Sequence, residues 1–153
     1  MNDQPNEPTV AVSLTVKNVA DALDFYTKAF NANELFRMPD PNGDIVHAEF
    51  MIGDTKIFIS NEAPEWYAVA MPEGAMSSSL LGLCTDNCDK AYKQATEAGA
   101  ESLKGPADNF WGFRNAILKD PYGYRWSLRE IIEEVSPEEM QIRAEKFFSE
   151  QSS

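Results

Sequence analysis

The chain predicts an α+β fold made of two tandem β-α-β-β-β modules followed by a closing helix. Three observations carry that expectation. Residues 10–35 recur as residues 78–103, each copy running from an apolar strand through a cap signal into an amphipathic helix and a second strand. Both copies are followed by further short runs with period-2 alternation around turn residues. A last segment opens on Ser136-Pro137-Glu138-Glu139, an N-cap serine with proline at the first helical position and glutamate at the capping-box position. Aligned without a gap, the copies superpose Asp21 on Asp89, Ala32 on Ala100 and Leu35 on Leu103, and the expected caps are Asn18 and Asp86. On that alignment residues 1–8 form a flexible tail, 9–61 the first module, 62–77 a linker, 78–131 the second module, and 132–153 the C-terminal helix and tail.

In the first strand Val10, Val12, Leu14 and Val16 alternate with Ala11, Ser13 and Thr15, so one face is apolar and the other small or polar. The helix after Asn18 carries Asp21 near its positive end, and Val19, Leu23, Tyr26 and Phe30 share one stripe. A strand at 34–38 runs into Asp40-Pro41-Asn42-Gly43, a turn by composition. Strands at 45–52 and 56–60 flank Gly53-Asp54 as a hairpin. The expected pairing sets Phe50 against Ile57 and Ala48 against Ile59 on the helix side, which turns His47, Ser60, Glu49 and Phe58 the other way.

The linker concentrates proline, glycine and serine around Trp66 and Tyr67. The second module begins with a strand at 78–84. A helix with the smaller stripe Cys88, Ala91, Ala95 and Ala98 follows, then strands near 101–104, 114–119 and 124–130. Met140, Ala144, Phe147 and Phe148 give the last helix an apolar face, suited to covering a sheet or a partner subunit.

A formal net charge of −12, from 25 acidic and 13 basic residues, repels phosphate backbones and anionic bilayers, so no nucleic-acid or membrane partner is expected. The polar start MNDQPNEPT lacks a basic, apolar leader pattern, which gives a cytoplasmic expectation. Cys84 and Cys88 have neither redox nor metal-finger spacing and read as small buried apolar residues.

The segments VKNVADALDFYTKAFNA, VHAEFMIGD, FWGFR, DPYGYRW and VSPEEM, taken with the repeat, resemble the vicinal oxygen chelate superfamily of glyoxalase I, bleomycin-resistance proteins and extradiol dioxygenases. Within it they are similar to the phosphonate-metabolism-protein-like subgroup. The resemblance implies a curved eight-stranded mixed sheet around a ligand cavity, and a homodimer. It also implies metal-ligand positions on the first and last strands of each module. These fall on Ala11, Ser79, Phe58 (or Ser60) and Ser127, none of which is an imidazole, carboxylate or thiolate. No metal or other cofactor is therefore expected. Two positions often ionisable in the subgroup, one after FWG and one after the final turn glycine, hold Phe113 and Tyr124.

Among residues that can carry chemistry, His47 and Glu49 lie two apart on a strand and share a face, the arrangement of a general base oriented by a carboxylate. The alternative is a histidine hydrogen-bonded within a polar sheet face. Two ligands of a relocated metal is a third reading, for which the sequence supplies no third donor. Arg125 and Arg129 alternate with the Ser127 position and suit a carboxylate or phosphate, or else bridge surface acids, as does Arg114. Trp111 and Phe113 form a wall for a planar ligand, or close the core. Ser13, Thr15, Ser60 and Ser79 offer hydrogen bonds, while Phe58, Leu81 and Leu83 offer apolar contact. This mixture suits a small organic molecule bound without metal. The rival expectation is an enzyme: a metal-dependent lyase, isomerase or dioxygenase, or a metal-free acid-base catalyst using His47 and Glu49.

Overall fold

The computed structural model describes residues 7–152; the expected flexible tail, apart from residues 7 and 8, lies outside the described residues. The chain divides into two compact units, Met1–Ala75 and Met76–Ser153, with the boundary inside the expected linker. That linker is more ordered than its composition suggests. A 3-10 turn spans Pro64–Trp66, and a bridge joins Ala63 to Ala68.

In the first unit β1 (Val12–Val16) leads into α1 (Val19–Phe30), then β2 (Asn33–Pro39), β3 (Ile45–Ile52) and β4 (Thr55–Asn61). The sheet order is β1-β4-β3-β2, with β1 parallel to β4 and the other pairs antiparallel. α1 forms where expected because Asn18 accepts a hydrogen bond from the Asp21 amide (3.0 Å), and Asn31 ends it in the left-handed region (φ 56°). Its apolar stripe buries Val19, Leu23, Tyr26 and Phe30, with the Tyr26 ring stacked on Phe50 at 5.4 Å. The hairpin pairs Phe50 with Ile57, Ala48 with Ile59, Glu49 with Phe58 and His47 with Ser60, the register expected from the alternation.

The second unit repeats the order: β5 (Leu80–Cys84), α2 (Cys88–Ala98), β6 (Glu101–Asp108), β7 (Phe113–Lys119) and β8 (Arg125–Ile131), in a sheet ordered β5-β8-β7-β6. Ala116, Leu118, Trp126 and Leu128 are buried on the α2 side. The eight expected strands are thus present as two four-stranded mixed sheets, one in each unit.

The gapless alignment of the two copies is corrected by one residue at their start. Val12 pairs with Ile57 on the helix side of the first sheet, and the residue that pairs equivalently in the second is Leu81, opposite Trp126; the gapless alignment had placed Val12 on Leu80. The cap is Asn87, whose side chain accepts from the Lys90 amide at 3.0 Å, and not Asp86. The physical reason is the helix length. α1 has 12 residues and α2 has 11, so the copies match without a gap only after the helices. In a strand a one-residue shift exchanges the two faces. Leu81 and Leu83 therefore point toward α2, while Leu80, Gly82 and Cys84 point away from it. Cys84 is accordingly exposed, contrary to expectation, and Cys88 is buried, where loss of hydration raises its thiol pKa.

α3 (Pro137–Gln151) starts as expected, with the Ser136 hydroxyl accepting from the Glu139 amide at 3.2 Å. The Glu139 carboxylate does not close the capping box; it turns along the helix to Arg143 Nε at 3.0 Å. Arg143 also makes paired bonds to Glu133 (2.7 and 2.8 Å) and donates to the Phe110 carbonyl, while Phe147 packs its ring 5.2 Å from Phe110. The Gly112 carbonyl accepts from the Ile132 and Glu133 amides, and a Cβ at Gly112 would lie 2.3 Å from the Glu133 carbonyl oxygen. Its φ of 91° and this close approach both require glycine. Among the described residues, no helix is long and apolar enough to cross a membrane.

The cap assignment predicts that Asn87→Ala lowers the unfolding free energy by about 1 kcal/mol, while Asp86→Ala changes it by less than about 0.5 kcal/mol; urea denaturation measures both. Arg143 holds the Glu133 carboxyl below its usual pKa, chiefly by direct hydrogen bonding. The folded pKa is depressed, so this contribution is fully present above the usual carboxylate range and is lost as pH falls through the lowered value. Protection factors along α3, taken relative to the intrinsic exchange rate at each pH, should therefore fall in acid, and Arg143→Met should show low protection already at neutral pH.

Candidate functional site

Each sheet has a face turned away from its helix, and the polar candidates collect there by alternation. On the first sheet that face carries Ser13 and Thr15 of β1, His47 and Glu49 of β3, and Phe58 and Ser60 of β4. Register joins Ser13 to Phe58, Thr15 to Ser60, and His47 to Ser60. The six residues expected to share a face do share one.

The chemistry within that face differs from the expected dyad. Glu49 forms its ion pair with Lys56 at 3.2 Å, and Lys56 also bonds Glu7 at 2.8 Å while lying 4.8 Å above the Phe58 ring. Both carboxylates raise the Lys56 pKa, Glu7 more strongly. His47 has its ring 6.3 Å from that of Phe58 and no hydrogen bond to any described residue. The structure thus supplies no carboxylate to orient the imidazole, because the ammonium of Lys56 is the stronger partner for Glu49.

On the second sheet the face turned from α2 carries Gly82, Phe113, Asn115, Ile117, Arg125, Ser127 and Arg129. Ser127 is buried at 3% exposure. Asn115 reaches it through Nδ2 at 3.5 Å, and Asn115 Oδ1 in turn accepts a short hydrogen bond from Asn109 Nδ2. Asn109 Nδ2 also faces the carbonyls of Ala107 and Phe113, both at 3.3 Å. That end of the Asn109 amide must be the donor, which fixes the orientation of the Asn115 amide as well.

The arginines have separate fates. Arg125 donates to the carbonyls of Ser77 and Ser78, each at 2.7 Å, and so clamps the chain leading into β5. Arg114 lies on the α2 side, bonded to Asp89 (3.0 Å) and Asp108 (2.8 Å), which raise its pKa. This is the surface bridging allowed as the alternative for it. Arg129 shares the Ser127 face, its guanidinium 5.8 Å from the Phe113 ring centre. Leu81 and Leu83 are directed away from that face, and Ser79 precedes β5. Trp111 sits in the turn before β7, edge-on to Phe110 at 5.0 Å, so of the two expected wall aromatics only Phe113 is on the sheet face.

Asn109, Asn115 and Gly82 were not among the sequence candidates. The repeat did hold a signal for Asn115. From the helices through β3 and β7 the gapless alignment is valid, and it places Asn115 on His47; the longer turn between β7 and β8 then shifts the last strand by one residue, so that Ser60 corresponds to Arg129, because His47 pairs with Ser60 as Asn115 pairs with Arg129. Asn109 repeats the turn logic of Asp40 and Asp120, whose side chains accept amides two and four residues on.

The corrected register also changes the metal-position comparison. The counterpart of Ala11 becomes Leu80, and that of Phe58 is Ser127. Methyl, isobutyl, phenyl and hydroxyl groups do not fit a divalent metal that takes imidazole, carboxylate or thiolate donors. Among the described residues, no three His, Cys, Asp or Glu side chains are grouped to hold a metal ion.

Tandem β-α-β-β-β units, each with an apolar face under its helix and a mixed polar face opposite, define a paired-module α+β protein. The chain belongs to the Glyoxalase/Bleomycin resistance protein/Dioxygenase superfamily, whose family model matches residues 9–128. An uncharacterized protein of Mycobacterium bovis is 32% identical over 142 residues, covering 88% of this chain and 91% of its own. Among solved structures, TioX from Micromonospora sp. ML1 superposes with TM-score 0.65 at 23% identity over 82% of this chain and 99% of its own. The fosfomycin resistance protein FosX from Mesorhizobium loti does so with TM-score 0.60 at 14% identity, over 82% and 93% respectively. These two likenesses are likenesses of fold.

The hydrogen-bond pattern predicts unequal costs on the two faces. Ser127→Val should lower stability by about 1–3 kcal/mol, since it leaves the half-buried Asn115 amide without its acceptor at a buried position. His47→Ala should stay within about 0.5 kcal/mol. Paired urea melts of the two variants measure the contrast.

Proposed function

We propose that this protein binds a small organic molecule on the polar sheet faces described above, and does so without a metal. The observation that supports this most is the residue set Ala11, Leu80, Phe58 and Ser127 at the positions where metal-using members of the fold place ligands. Hydroxyl, amide, guanidinium and phenyl groups on neighbouring positions suit an organic ligand through a few directed polar contacts and apolar packing. Sequestration of a metabolite or drug is a use consistent with that chemistry. The acid-base alternative is weakened by the Glu49–Lys56 pair, which engages the carboxylate that was to orient His47.

A homodimer belongs to the same proposal. It is supported by exposed apolar side chains at Leu35, Phe36 and Met38 on β2 and at Ile142 and Phe148 on α3. Light scattering showing only monomer at working concentration removes the dimer while leaving the binding proposal intact.

Native mass spectrometry of the purified protein, exposed to a metabolite extract in the presence of a chelator, should capture an organic ligand that also raises the melting temperature. Stoichiometric zinc, nickel, iron or manganese in freshly purified protein, with ligand binding abolished by chelation, would overturn the metal-free reading. Turnover that disappears in His47→Ala would replace it with the acid-base enzyme.

A further inference from the structure

We infer that the ligand of the second module is a small organic anion, a carboxylate or phosphoryl compound, held by Arg129 and the Ser127 hydroxyl with its apolar body against Phe113 and Ile117. The inference rests on the binding function proposed above and names the chemical class of the molecule bound. It follows from counting donors and acceptors on one sheet face.

The first term of the count is Arg129. The chain has five arginines in a protein of net charge −12, so carboxylate partners are plentiful. Arg37 pairs with Glu34, Arg114 with Asp89 and Asp108, and Arg143 with Glu133 and Glu139, while Arg125 is bonded to two carbonyls. Arg129 alone among them has no carboxylate or carbonyl acceptor among the described residues; its one contact of this kind is the Phe113 ring. A cation over an aromatic face keeps the edge of its guanidinium, with its fork of N–H donors, available to a planar or tetrahedral oxyanion.

The second term is the relay that ends at Ser127. Three acceptors fix the donor end of Asn109: the carbonyls of Ala107 and Phe113, and Asn115 Oδ1. Asn115 then presents its amide N–H to Ser127 Oγ. Each hydrogen bond donates in the same direction, so the Ser127 oxygen is the acceptor at the end of the series and its own O–H has no acceptor among the described residues. A buried hydroxyl, 3% exposed, with an unused donor needs an acceptor, and successive donors in one sense polarise the last O–H. Arg129 lies two residues on, on the same face of the same strand. The two unsatisfied groups are both donors, which selects a ligand rich in acceptors and negatively charged.

The third term is Gly82, facing Ser127 across the β5–β8 pair. A Cβ built there would come within 3.0 Å of Arg129 Cζ and Nη1, so the absent side chain is what gives the guanidinium its present place. Gly82 has no unusual φ, so alanine is sterically compatible with the backbone while crowding the arginine. This makes Gly82 a positioning residue that is separable from the charge itself.

Thermal-shift titration with benzoate and phenylphosphonate, against the neutral probes benzamide and benzyl alcohol, tests the assignment on the full chain. The two anions should raise the melting temperature of the wild type with a saturable dependence, and benzamide should not. Arg129→Gln should weaken the anion response by about tenfold or more. Gly82→Ala, which keeps the charge, should weaken it in the same direction while leaving the unliganded melting temperature near wild type. Equal responses to benzoate and benzamide overturn the inference, as does an anion response unchanged in Arg129→Gln, or none at up to about 20 mM probe. A neutral ligand captured from the metabolite extract and insensitive to Arg129→Gln would also overturn it, yet would leave the binding function standing. Failure to capture any ligand would remove the binding function itself, so the two failures are told apart.

Discussion

Each module is closed by the parallel pairing of its first strand with its fourth. Every other strand contact in the module joins antiparallel neighbours along the chain, which local turns can organise. The β1–β4 and β5–β8 pairs have no such help, because a helix and two strands separate their members. Their register fixes which residues lie under the helix, and the packing of Tyr26 on Phe50, or of Cys88 beneath its sheet, follows from it. The two polar faces are the complement of that choice. A slip of one residue in either parallel pair would bury serines and expose leucines, so the hydrophobic requirement on one face also protects the chemistry on the other.

Three turns built on a side chain that folds back onto its own backbone support this arrangement. Asp40, Asn109 and Asp120 each stand three residues before a glycine at φ 91°. Asp120 is the most committed of them: it is 1% exposed and accepts the Tyr122 and Tyr124 amides and the Trp126 indole N–H. The indole bond joins the turn to the helix-side core of β8. Asn109 plays the corresponding part for β7, and an amide in place of a carboxylate has a consequence there. An amide can donate as well as accept, so the turn before β7 starts the relay through Asn115 that reaches Ser127. One turn motif thus serves stability at one place and orients the candidate site at another.

The two modules have diverged most on their polar faces. His47 and Ser60 in the first correspond to Asn115 and Arg129 in the second, and Glu49 corresponds to Ile117. In the first module the charged members are consumed by one another, with Lys56 between Glu7 and Glu49. In the second Arg125 is bonded to backbone carbonyls, and Arg129 stands beside an oriented amide with no acceptor among the described residues. The helix sides kept their apolar character, because volume and hydrophobicity constrain them. The other faces were free to change chemistry without unfolding the module.

Much of this was legible in the sequence. Composition, alternation and caps located the two modules, the closing helix, the α1 stripe and the β3–β4 register, since these depend on local propensity and on a hydrophobic pattern with a fixed period. Through the family resemblance the sequence also led to the expectation that the metal-ligand positions carry no metal donors. It did not reveal that α2 is one residue shorter than α1. A string can be aligned without a gap wherever similar residues recur, whereas the Asn87 cap and the β5–β8 ladder are set by hydrogen bonds in space, and these moved Leu81 and Leu83 beneath the helix. Nor did sequence distinguish Arg114 and Arg125 from Arg129. All three are arginines near or on β8, and which of them meets a carboxylate, a carbonyl or only an aromatic ring depends on neighbours distant along the chain. The hydrophobic pattern determined where the strands and helices lie; only the tertiary structure decided which polar groups are left without partners, because satisfying a donor requires an acceptor brought to it by the fold.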